Sequence, residues 1–229
     1  MVRVHITFEG ETLTQSKFNE IELSVLQYFN NVWSEVKESM ELLRKGNERL
    51  IKSEICLVFI GADSLSRFAE IITTVEERKR NEDRFREWFN HFVFSDRNDV
   101  YKKYKQEINC DSFIAWKLRN SLLHFYGLPN LESEYIGFGT LDANLIEKLK
   151  IAVSNNHDGK RARVINPYRL LEVTLNGFLI QLETLKEMIE GSDDGKKEKY
   201  MRGIVKCYEI IQKEGSVYVP FSKRDPAKT

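Results

Sequence analysis

Three side chains within six residues, Arg119, Asn120 and His124, offer a permanent cation, an amide and a group that titrates near neutrality. Set against a phosphodiester, these types would neutralise charge, orient the phosphate and transfer a proton. They lie in the stretch DSFIAWKLRNSLLHFYGLP, Asp111 to Pro129, which predicts a helix with both ends marked. Asp111 can accept hydrogen bonds from the free N–H groups of the first turn, Gly127 suits a left-handed residue past the last turn, and Pro129 forbids continuation.

At about 100° per residue, Ile114, Leu118, Leu122 and Phe125 fall within roughly 80° of one another and make the core-facing stripe. Trp116 and Leu123 form a second apolar surface opposite, so the helix wants a neighbour on both flanks. Asn120 and His124, four apart, share another side, and Arg119 leaves about 140° from His124. One helix therefore does not aim Arg119 and His124 at a single phosphate.

Arg, four residues and His, with a polar residue directly after the Arg, resembles the R-x4-H signature of the HEPN superfamily; here it reads RNSLLH, Arg119 to His124. The resemblance covers about residues 18 to 213, with the motif helix its specific part. It implies a helical domain and, for many members, a metal-independent endoribonuclease of a toxin or anti-phage system that places two motifs across a homodimer interface. It implies Arg119 and His124 as catalytic, Asn120 as supporting, RNA as substrate, no cofactor or metal, and an antitoxin or companion protein as a further partner. Other members are inactive binding or assembly modules. For this chain that alternative makes the three residues satisfy polar needs at a helix crossing.

A second candidate, Asp63, follows the apolar run ICLVFIGA. A carboxylate there needs a partner if buried, for which Arg119 is the candidate; the alternative is a solvated residue or a pair with Arg67 one turn on. The run could be a buried strand leading into a nucleophilic-serine turn, but no G-x-S-x-G surrounds Ser64 or Ser66. A helix over 48–80 is expected instead.

The totals bound the rest. With 41% hydrophobic and 31% charged residues, 4 prolines and 12 glycines in 229, the composition is that of a mainly α bundle of about five to seven helices in one domain. Short β elements are expected near the N-terminus, in a loop-rich insertion over 127–166 and near the C-terminus. The formal net charge is zero, so RNA binding needs a local basic patch. Arginines of the run 77–86, with Arg97, Lys102, Lys103 and Lys105, are candidates for it. Three scattered cysteines with no C-x-x-C pair suggest neither a disulfide framework nor a zinc knuckle. With no signal-peptide core and no long apolar run, a cytoplasmic location without a membrane span is expected.

Along the chain, residues 2–9 alternate as a strand, with His5 on the polar set, and 16–45 have helical periodicity. Phe85, Trp88, Phe89, Phe92 and Val93 make an aromatic core stripe, with His91 off it. A helical stretch over 142–149 and a hairpin turning near Asp158-Gly159 are expected in the insertion, with His157 on the turn. Asn166-Pro167 opens a helix closed by Gly191, and a last helix spans 200–212. SVYVPF reads as a strand that could pair with 2–9, and 222–229 as a disordered tail.

Overall fold

A computed structural model describes residues 6–8, 10–46, 50–75, 79–139, 148, 151, 160–190 and 194–213. Among them the elements are β1 (Thr7–Phe8), β2 (Glu11–Thr12), α1 (Gln15–Gly46), α2 (Ile51–Thr74), α3 (Asn81–Trp88), α4 (Asp99–Ile108), α5 (Ser112–Phe125), β3 (Glu134–Phe138), β4 (Arg161–Ile165), α6 (Pro167–Glu190) and α7 (Asp194–Lys213). The fold is mainly α, as composition and periodicity imply. No helix of the described residues is long and apolar enough to cross a membrane.

Helix α2 is the axis of the packing, in contact with α1, α3, α5, α6 and α7. Its all-round apolar middle explains this: Ile55, Val58, Phe59, Ala62, Leu65, Phe68, Ile71 and Ile72 are all buried. It runs six residues short of the expected end, because Val75 takes a left-handed conformation and donates its N–H to the Ile71 carbonyl. Helix α7 crosses so closely that a Cβ on Gly203 would sit 2.5 Å from the Ile72 Cα. Only glycine fits there.

The aromatic stripe is core, as its spacing predicts, but its helix changes gauge. After α3 the backbone widens into a π-helical turn over Phe89–Val93, closed by Phe94 N–H to the Phe89 carbonyl at 2.7 Å. Asn98 steadies it, its amide donating to the carbonyls of Phe92 and Val173. His91 is exposed. Phe85 and Phe89 stack at 4.6 Å between centroids, and Phe85 meets Trp116 of α5 at 5.5 Å.

In the insertion, strand β4 pairs in parallel with β3, Glu134 opposite Arg161 through Phe138 opposite Ile165. The first arm of the expected hairpin lies largely outside the described residues. The expected helical stretch over 142–149 and the Asp158-Gly159 turn with His157 lie largely outside the described residues. So do His5, the SVYVPF strand and the tail. At the N-terminus the described part of the strand, Thr7–Phe8, pairs with Glu11–Thr12 around Gly10, at φ +84°.

Candidate functional site

Helix α5 begins as its sequence dictates: the Asp111 carboxylate accepts the Ile114 N–H at 2.9 Å. Its end differs. Tyr126, not Gly127, is the left-handed residue (φ +51°), donating its N–H to the carbonyls of Leu122 and Ser121. The Tyr126 hydroxyl lies 2.7 Å from Ser53 Oγ and the Lys52 ammonium 5.6 Å from the Tyr126 ring, tying this end to the start of α2.

Of the expected core stripe, Ile114, Leu118 and Leu122 are buried and Phe125 is not: it is 84% exposed. It sits in the last turn, where Tyr126 rather than Phe125 makes the contact with α2. Trp116, on the opposite flank, has the neighbour that face requires: it is 8% exposed and packed against Phe85 within the chain.

Arg119 is held from three directions. Its Nη2 donates to Asp63 Oδ2 at 2.6 Å, its Nη1 donates to Asn120 Oδ1 at 2.9 Å, and its guanidinium carbon lies 5.1 Å from the Trp116 ring centroid. Of the two partners open to Asp63, the fold therefore selects Arg119, joining α2 to α5 through side chains 24% and 18% exposed. The pairing is imperfect. Asp63 Oδ1 and Arg119 Nε are buried without a hydrogen-bond partner. The second N–H on each terminal nitrogen remains as a donor.

Asn120 bridges two faces of the helix. It receives Arg119 on one side and shares the other with His124, four residues on. His124 is exposed, its ring 6.2 Å from that of Phe125, and no contact joins it to Arg119. The structure thus brings Asp63, Arg119 and Asn120 together and leaves His124 apart at the surface. The face Asn120 and His124 share also carries Phe113 and Lys117, which the sequence reading passed over; their i, i+4, i+7, i+11 spacing was the available signal.

The cationic surface expected from the charge runs is largely neutralised. Arg80 pairs with Asp83, Arg86 with Glu82, Lys79 with Glu87, Arg97 with Glu187 and Lys102 with Asp99. Helix α5 is different: it contains Lys117, Arg119 and His124 and no carboxylate, alone among the described α-helices. No cluster of three or more His, Cys, Asp or Glu that could hold a metal ion occurs among the described residues. The described cysteines, Cys56, Cys110 and Cys207, are free thiols, and burial pushes the thiol pKa of each above its ordinary value.

No family model, curated protein or solved structure matches the chain.

Proposed function

We propose that the chain is a metal-independent endoribonuclease of the HEPN type, acting in a toxin or anti-phage system, with Arg119 and His124 at a composite site between two copies. The observation that carries this reading is the exposure of His124 beside Asn120 on a helix free of carboxylates. A histidine kept only to fill a helix crossing would be buried with both ring nitrogens satisfied.

In this reading His124 takes the proton of the ribose 2′-hydroxyl or gives one to the departing 5′-oxygen, while the 2′-oxygen forms a bond to phosphorus and the P–O5′ bond breaks. Arg119 stabilises the charge that builds on the phosphoryl oxygens, and Asn120 orients the phosphate. Asp63 positions Arg119 without touching the substrate. Since Arg119 and His124 point about 140° apart on one helix, a second copy supplies the complementary group. An antitoxin or companion protein would hold such an activity in check.

A second reading, a non-catalytic helical module for binding protein or nucleic acid, draws on the Asp63–Arg119 pair, which gives Arg119 a structural role of its own. Cleavage of a mixed RNA pool without divalent metal separates the two. Wild type is expected to cleave, and the Arg119→Ala and His124→Ala variants to lose about 10²-fold or more while remaining folded. Wild-type protein that leaves RNA intact assigns the chain to the module class.

A further inference from the structure

We propose that the solvent face of α5 is a track for single-stranded RNA, with a base stacked on Phe113 at one end and the scissile phosphate at His124 at the other. The inference rests on the ribonuclease reading and adds a binding subsite to it. Phe113, Lys117, Asn120 and His124 fall within about 60° of one another on the helix, spanning about 16 Å along its axis. Phe113 and His124 are exposed and the two residues between are half-buried. They make one continuous surface line.

Phe113 is 39% exposed in the first turn, where a phenyl ring gains nothing from water. Two cations attend it: the Lys117 ammonium lies 5.1 Å from its centroid, and the Arg86 guanidinium carbon, itself paired with Glu82, 5.6 Å. An aromatic ring flanked by cations beside a line of polar groups is what a nucleotide strand requires, a π-face for the base and charge for the phosphates. The flexible Lys117 stem can swing its ammonium from the ring to a phosphate as the base takes its place.

Strandedness follows from the same geometry. A ring presented on a convex helix surface stacks only on an unpaired base, since duplex bases are already covered on both faces. Charge complementarity favours an RNA strand as the occupant: Lys117 and His124 stand along this face with no carboxylate of α5 between them, and phosphates are their complement.

The test uses short labelled single-stranded RNAs carrying one abasic nucleotide, moved along the strand, bound to the full-length His124→Ala protein so that substrate stays intact. One abasic position, a few nucleotides from the cleavage point, should weaken binding about tenfold, and adding Phe113→Leu should abolish that penalty. In the active protein Phe113→Leu should raise KM about tenfold and lower kcat far less, and Phe113→Trp should restore KM. An abasic penalty independent of Phe113 overturns the track while leaving the ribonuclease reading intact. A dimer that dissociates on Phe113→Leu overturns it in favour of a second copy. If wild type cleaves no RNA but the Phe113-dependent penalty remains, the track stands and the ribonuclease reading falls.

Discussion

In the proposed ribonuclease Arg119 has two roles, one in the framework and one at the phosphate, and substitution at Asp63 reads the first. The carboxylate holds the guanidinium through one oxygen, while its other oxygen and Arg119 Nε lie buried with no hydrogen-bond partner. Removing Asp63 leaves a mostly buried cation facing Asn120 and the Trp116 ring alone. For a pair about four-fifths buried, Asp63→Ala should cost about 1–3 kcal/mol, below the figure for a fully buried pair because water screens part of it. Equilibrium denaturation reads this directly. His124→Ala, at an exposed position, should change stability by less than about 0.5 kcal/mol. A His124→Ala variant as unstable as Asp63→Ala would place His124 in the structural framework and remove the main support for catalysis. The Asp63–Arg119 contact was legible only as one alternative: a buried carboxylate ending an apolar run needs a cation, but the sequence left Asp63 in solvent or on Arg67 equally open. The exposure of Phe125 was not legible, because a wheel assumes cover along the whole stripe, whereas at this end of α5 the contact with α2 is made by Tyr126.

Among the elements, the parallel strand pair is what anchors the start of α5. Arg163 on β4 grips Glu134 on β3 through two hydrogen bonds, 2.7 and 3.0 Å, and reaches Asp111, the N-cap of α5, at 3.7 Å. The Asn109 amide donates to the Val164 carbonyl alongside. The guanidinium lowers the Glu134 pKa below its ordinary value of 4.5, with burial opposing. A carboxylate depressed in the folded state stabilises it above the unfolded value, and that contribution fades as pH falls through the folded value. Wild type should therefore melt higher than Glu134→Gln at pH 7, with the gap closing as pH falls below about 4.5. A gap constant down to pH 3 would show that the Arg163–Glu134 charge pair does not hold the strands. The strand 161–165 was visible in RARVI, but its partner was not. A parallel partner some 27 residues earlier is not adjacent in sequence, so no local pattern marks it. The π-helical turn was invisible for a related reason: the aromatic stripe has the same apolar faces whether the backbone closes at i+4 or i+5.

For the whole molecule, the question is whether one chain is a complete catalyst. Net charge is zero, and most described surface arginines are spent on neighbouring carboxylates, so the proposed ribonuclease would need geometry to concentrate Arg119 and His124. One copy does not do this, since Arg119 faces α2 while His124 faces solvent. The exposed apolar side chains of α5 are Phe113 in its first turn and Phe125 in its last, since Trp116 is consumed internally. A two-fold contact made through Phe125 would set Arg119 of one copy against His124 of the other. That arrangement predicts complementation. Arg119→Ala and His124→Ala proteins, each inactive, should regain cleavage when unfolded together and refolded as a mixture. Random pairing makes about half the dimers mixed, and each mixed dimer has one site of two with both residues intact, so activity should reach about a quarter of wild type. Phe125→Glu added to both chains should abolish the recovery and give monomers by sedimentation while helicity is retained. Full wild-type activity from monomeric protein would overturn the composite site, because Arg119 would then have to leave Asp63 and cross the helix to reach the phosphate at His124.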